Sequence, residues 1–201
     1  MADFIAEDTQ VEGKGAEGLA QWSIHTDGSS NQHAGGAGVV IQTLDGDKIE
    51  CMIRLKFPTT NNEAEYEALV VGLDFTKAAS ADNIIVHCDS QVITSQINGD
   101  YECGNERMKE YLEEVKNRIG SLEVRFVQIP REENEYANRL AKAASAEFMI
   151  PSKQVLSFVQ ISSFIDDEAN VQEINSEKNW TTPLIAYLRS GILLDGKDAA
   201  R

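Results

Sequence analysis

The sequence predicts an α/β domain: a five-stranded mixed sheet, three antiparallel strands then two parallel ones, flanked by helices. Three observations carry this. Two apolar runs, the glycine-containing 36–43 and 49–57, flank Leu44-Asp-Gly-Asp47, a hairpin signal. Two further strand-like runs, 84–88 and 122–129, are each reached through segments of helical period. The resulting order, βββ-α-β-α-α-β-α, puts the first three strands in a meander and leaves the last two to crossover connections.

Each element has a local reason. Residues 22–27, from Trp22 to Asp27, alternate like a strand and stop at the turn Gly28-Ser29-Ser30-Asn31. Thr59-Thr-Asn-Asn62 is a helix-start cluster, with Asn61 or Asn62 as the expected cap. Ala64, Ala68, Val71, Phe75 and Ala78 then recur at helical spacing, so about 62–79 reads as an amphipathic helix. The buried strand 84–88 ends at Asp89-Ser90, which opens a short helix running to Asn98-Gly99. Residues 105–119 form a charged amphipathic helix with Met108, Leu112, Val115 and Ile119 on one stripe. Strand 122–129 ends at Pro130, and 132–147 is the last core helix, with Ala137, Leu140, Ala141 and Ala144 inward.

Around this core, 21–147, the organisation is simpler. Residues 1–20 are acidic and lack a sustained apolar period, which predicts a flexible leader without the features of a signal peptide. Residues 148–201 read as a linker. Its run Val155–Ile161 suits an edge strand or a partner site, and a short helix is expected near 182–189 behind Pro183. No apolar run is long enough to span a membrane. Cys51, Cys88 and Cys103 are too few and too scattered for a disulfide framework or a zinc site, which suits a reducing, intracellular compartment, cytoplasmic or nuclear. The net charge of −15 argues against tight, non-specific nucleic-acid binding and predicts strong salt sensitivity for any such contact.

Three acids stand where apolar patterning does not ask for them: Asp27 at the end of the first strand, Glu65 in the second turn of the first helix and Asp89 at the end of the fourth strand. With the first and fourth strands adjacent, both aspartates meet at one place and Glu65 projects into it from the covering helix. Asn138, beside the apolar stripe of the last helix, is a fourth polar position. Clustered carboxylates raise one another's pKa unless a cation is present. Hard oxygen ligands suit Mg²⁺, and two such ions about 4 Å apart are the standard arrangement for phosphodiester hydrolysis. Taken singly, each acid is equally read as a turn former, a cap or a solvated helix residue.

Four phrases carry a resemblance: Asp27-Gly-Ser-Ser, Thr60-Asn-Asn-Glu-Ala-Glu65-Tyr-Glu-Ala-Leu, Cys88-Asp-Ser-Gln91 and Ala137-Asn-Arg-Leu-Ala141. In order and spacing, over about 21–147, they resemble the motifs of ribonuclease H, and most of all the ribonuclease H domains of plant gypsy-class LTR retrotransposon polyproteins. Ile129-Pro-Arg-Glu-Glu-Asn134 is typical of that group, and Asn179–Gly191 is similar to its segment leading to integrase. The resemblance implies a reverse transcriptase-associated endonuclease that cuts the RNA strand of RNA–DNA hybrids, leaving 3′-hydroxyl and 5′-phosphate ends. Its implied cofactor is two Mg²⁺ ions, with Mn²⁺ as a substitute. Its implied partners are the hybrid and the polymerase and integrase regions of one polyprotein. Asp27, Glu65, Asp89 and Asn138 become the catalytic, metal-binding set. Gly28, Ser29, Asn61, Asn62, Ser90 and Gln91 become substrate contacts, the amides facing 2′-hydroxyls and base edges.

Several features depart from the family pattern. It places an aspartate where Asn138 stands, so the site holds one negative charge fewer and the second ion is held less firmly. The link 99–104 is short and acidic where bacterial enzymes carry a basic insertion. No histidine precedes the last helix, leaving Arg131 or Glu133 to assist product release. His25 and His87 read as packed residues in or beside the sheet and His33 as an exposed one. Lys109, Lys116 and Arg118 offer either a DNA contact or a solvated helix face. The alternative function is a catalytically silent module of the same fold that binds nucleic acid or a protein partner. A relative of the integrases or resolvases is a third reading, against which the Asp-Gly-Ser and Asn-Asn-Glu-Ala-Glu phrases argue.

Overall fold

The computed structural model describes residues 21–146 and 155–166. The leader 1–20 and the expected helix near 182–189 lie outside them. Strands β1 (Trp22–Ser30), β2 (Gly35–Gln42) and β3 (Lys48–Leu55) form the antiparallel meander. Strand β4 (Asn83–Cys88) joins β1 in parallel, and β5 (Glu123–Gln128) joins β4 in parallel. A sixth strand, β6 (Val155–Gln160), lies parallel to β3, giving the order β5-β4-β1-β2-β3-β6. The class is the expected mixed α/β sheet, and the strand count of five is corrected to six. The added strand comes from the segment read as a linker. It is the edge strand that the run Val155–Ile161 suited, and its apolar residues Leu156 and Phe158 pack on the main core.

Four helices cover the sheet: α1 (Asn61–Ala78), α2 (Gln91–Asn98), α3 (Glu106–Ile119) and α4 (Glu135–Ser145). One face of the sheet carries the large core, where Ile24, Val39, Ile41, Ile53 and Val86 meet Ala68, Leu69 and Phe75 of α1. The other carries a smaller cluster of Val40 and Met52 under Ala137, Leu140 and Ala144 of α4. Gly38 explains how closely α4 seats: a Cβ there would stand 2.1 Å from the Ala137 carbonyl oxygen. Only a missing side chain lets helix backbone lie against strand backbone.

Several local expectations are corrected. Asp27 lies inside β1, which runs on to Ser30, because Gly28–Ser30 pair with Gly35–Ala37. Thr60, not Asn61 or Asn62, caps α1: its hydroxyl accepts from the Glu63 N–H, and the Glu63 carboxylate accepts from the Thr60 N–H at 2.6 Å. Helix α1 is no surface helix with one apolar stripe, since Glu63, Ala64 and every residue from Tyr66 to Leu73 are buried. Residues 132–134, read as the start of the last helix, belong instead to a separate 3₁₀ turn, Arg131–Asn134. On α3, the buried row is Met108, Tyr111 and Val115. Tyr111 joins the expected stripe, its hydroxyl reaching a buried carboxylate on α1, while Leu112 and Ile119 pack half-buried against the same core.

Candidate active site

Asp27 faces α4. Its cross-strand partner is Gly38, on which the Ala137 backbone rests, so Asn138 arrives beside it. Asp27 is 4% exposed. The Asn138 side chain and the Gly28 backbone N–H donate to its carboxylate, yet Oδ2 has no partner. Burial first, then the charge of Asp89, lifts its pKa to about 6.

Gly28, the next residue, faces the opposite way. A Cβ there would stand 2.2 Å from the Glu65 nitrogen, so the first turns of α1 lie directly on β1 at this point. That close approach sets Glu65 beside Asp27 and Asp89, whose negative charges it feels. Burial, then these two neighbours, raises its pKa to about 7, while a hydrogen bond with Ser90 opposes the rise. Oε2 of Glu65 is buried and unpartnered.

Asp89 follows Cys88, whose register partner is Thr26 on β1, so the two aspartates leave adjacent parallel strands at one level. Asn134, 1% exposed, ties them together: its Nδ2 donates to the Thr26 carbonyl at 2.9 Å and to Asp89 Oδ1 at 3.1 Å. Sequence reasoning missed this residue. Its only local signal is an amide just behind a strand-ending proline and ahead of a helix. Arg131, exposed in the same 3₁₀ turn, lowers the pKa of both Asp27 and Glu65 through its positive charge.

The fold therefore brings Asp27, Glu65, Asp89 and Asn138 to one place. Among the described residues, no three of His, Cys, Asp and Glu form a group arranged to hold a metal ion. Asn138, Ser90 and Asn134 each hydrogen-bond one of the three carboxylates. The donor set nevertheless fits a hard cation, being all oxygen, acidic and left with two buried unpartnered carboxylate oxygens.

The expected substrate residues sort by position. Asn61 and Asn62 are exposed at the start of α1, where Asn61 Oδ1 accepts from the Ser30 N–H at 2.9 Å. Gln91 is exposed at the start of α2, and Ser90 caps that helix. Ser29 is half-buried with its Oγ 3.4 Å from Ser145 Oγ, and Gly28 is buried beneath α1. Beyond Asn31, a cleft of about 360 Å³ is lined by His33, Arg54, Lys56 and Thr59, a basic stretch on an acidic chain. On α3, Lys109 pairs with Glu106 and Arg118 with Asp74 and Glu114, so both have intramolecular partners. His25 and His87 stack across β1 and β4 with ring centroids 4.5 Å apart. Burial, then His87, lowers the pKa of His25 to about 4. All three cysteines are buried and free.

This sheet order, with acids on β1, on the helix crossing it and at the end of β4, defines a ribonuclease H-like domain. Residues 25–144 match the family described as Reverse transcriptase-like, and the chain belongs to that family. It is 30% identical over 128 residues to the uncharacterized protein YpeP of Bacillus subtilis, covering 60% of this chain and 57% of that one. It is 38% identical over 76 residues to a protein named ribonuclease H from Cyanothece sp., covering 37% of this chain and 48% of that one. The chain thus spans about half the length of these curated relatives. Among solved structures it is similar to LC11-RNase H1 in complex with an RNA/DNA hybrid. That likeness has a TM-score of 0.57 and 30% identity, over 63% of this chain and 98% of that one.

Proposed function

We propose that this chain is a metal-dependent endonuclease that hydrolyses the RNA strand of RNA–DNA hybrids within retrotransposon reverse transcription, with activity reduced by Asn138. The convergence of Asp27, Glu65, Asp89 and Asn138, with two buried carboxylate oxygens left unpartnered, carries this reading. The likeness to a hybrid-bound ribonuclease H1 supports the substrate class. Asp27, Glu65 and Asp89 would hold two Mg²⁺ ions, or Mn²⁺ in their place. When bound, such ions supply an activated water and a charge sink for the leaving 3′ oxygen.

The remaining work falls to the chain's own groups. Asn134 holds Asp89 at a fixed height against β1. Gly28 admits the α1 backbone and so delivers Glu65. Asn61, Asn62 and Gln91, all exposed at helix starts, present amides to the 2′-hydroxyls that distinguish RNA from DNA. Ser29 and Ser90 border the same place, and the basic cleft near Thr59 offers a path for a phosphate backbone. Arg131 is placed to attract the scissile phosphate and to help release product. The likeness of 179–191 to an integrase-side linker supports a polyprotein setting in the cytoplasm or nucleus, with polymerase and integrase regions as partners.

Asn138 favours a second reading, a silent binding module. Its amide donates to Asp27, a position a metal ligand would fill with a negative oxygen. Parent and Asn138→Asp chains incubated with a labelled RNA–DNA hybrid in Mg²⁺ and in Mn²⁺, with EDTA controls, separate the two. RNA cleavage by the variant well above the parent is expected. A folded variant that binds hybrid yet leaves it intact in both metals would reject the nuclease and leave the module.

A further inference from the structure

We infer that residues 160–166 form a clasp that fixes the rotation of α1, making Glu67 and Gln160 positioning residues for the carboxylate site. The inference rests on the nuclease reading for its functional meaning.

Glu67 is fully buried. It lies two residues beyond Glu65, about 200° around the helix, and so points away from the site. Three donors from two other segments converge on it. The Tyr111 hydroxyl donates to Oε1 at 2.6 Å and the Phe164 N–H donates to the same oxygen at 3.1 Å. The Gln160 amide donates to Oε2 at 2.7 Å. Gln160 is itself anchored, its carbonyl accepting from the Lys56 N–H at 2.8 Å just past β3 and its amide donating to the Ser162 carbonyl.

One turn earlier, on the same side of α1, Glu63 accepts from Arg107 Nε at 2.7 Å, and Arg107 pairs with Asp166 at 3.2 Å. Asp166 in turn accepts from the Ser163 hydroxyl at 2.6 Å. Two carboxylates a turn apart are thus held from outside α1: Glu67 directly by Gln160, Phe164 and Tyr111, and Glu63 by Arg107 of α3, which Asp166 backs. A helix resting on a side-chain-free strand residue, as α1 rests on Gly28, has little there to stop it rolling. The grip on its far side defines the roll angle, and that angle aims Glu65.

The test uses the full chain and Mn²⁺ alone as the probe, with Gln160→Leu compared against Leu156→Ala. Leu156 packs β6 on the core and lies outside 160–166. Mn²⁺ affinity should fall at least about tenfold in Gln160→Leu, as for loss of a residue that orients metal ligands, and change little in Leu156→Ala. Backbone amide exchange at Glu65–Leu69 should accelerate only in Gln160→Leu. The exchange pair Glu67→Gln with Gln160→Glu, which keeps an amide against a carboxylate, should recover most of the affinity. Parent-like Mn²⁺ binding and exchange in Gln160→Leu, or equal losses in Leu156→Ala, would overturn the clasp. If the parent takes up no Mn²⁺, the nuclease reading falls and amide exchange alone decides.

Discussion

Asn138 shows how one atom changes the character of a site. An aspartate in its place would add a negative oxygen beside Asp27, whereas the amide donates a hydrogen bond and stabilises the Asp27 carboxylate without a cation. Sequence patterning found Asp27, Glu65, Asp89 and Asn138 because each interrupts or borders an apolar run. It missed Asn134, whose importance lies in contacts with Thr26 and Asp89, 108 and 45 residues away. Asn134→Ala would leave a buried carbonyl and a carboxylate oxygen without their donor. A stability loss of about 1–3 kcal/mol is expected in urea titration, together with weaker Mn²⁺ binding. The raised pKa values make a second prediction. Unfolded Asp and Glu titrate near about 4, whereas Asp27 and Glu65 titrate at about 6 and about 7 in the folded chain. The protonated forms are therefore favoured by folding. Their contribution is fully present below about pH 4 and is lost as pH rises through 6 to 7. Buried Glu67, also raised to about 7, acts in the same direction. In EDTA, thermal stability should fall between pH 5 and pH 8, and Mg²⁺ should restore more of it at pH 8 than at pH 5. A melting temperature rising across that window without metal would refute the assignment.

At the level of elements, capping and periodicity located all four helices and the first five strands. The errors lie where tertiary contact outweighs local pattern. The spacing of Ala64, Ala68, Val71, Phe75 and Ala78 makes α1 read as amphipathic, yet Glu63 and Glu67 are buried with partners from α3 and from 160–166. Tyr111, which the apolar stripe did not include, is fully buried on α3 because it supplies a hydroxyl to the buried Glu67 carboxylate. The glycines were legible as strand residues but not as seats for helices. Gly38→Ala would force α4 off β2, since its Cβ would fall 2.1 Å from the Ala137 carbonyl. A destabilisation of about 3 kcal/mol is expected from overpacking of this kind. Mn²⁺ affinity should drop with it as Asn138 moves from Asp27. Denaturant unfolding and metal titration on the same sample check both.

For the molecule as a whole, β6 changes where the domain stops. It covers the β3 edge, and the residues behind it reach α1 and α3. A chain cut after Ala146 should melt at lower temperature and, with the β3 edge uncovered, self-associate at high concentration by light scattering. A cut chain as stable and monomeric as the parent would reduce β6 to a passive addition. Among the described residues, no helix is long and apolar enough to cross a membrane. On this acidic chain, Arg54 and Lys56 line a small cleft near Thr59. Hybrid affinity should therefore be modest and fall steeply with added salt.

The sequence by itself determined the α/β class and the order of the first nine major elements, and it singled out four polar residues that the fold brings together. These are written in short-range signals: period, caps, turns, and acids out of place. Only the tertiary structure decided that a sixth strand closes the sheet, that Glu67 is buried at the meeting of three segments, and that Asn134 joins β1 to Asp89. Each of these depends on groups more than 40 residues apart in the chain. A side chain's need for a distant hydrogen-bond partner leaves no periodic trace in the residues around it.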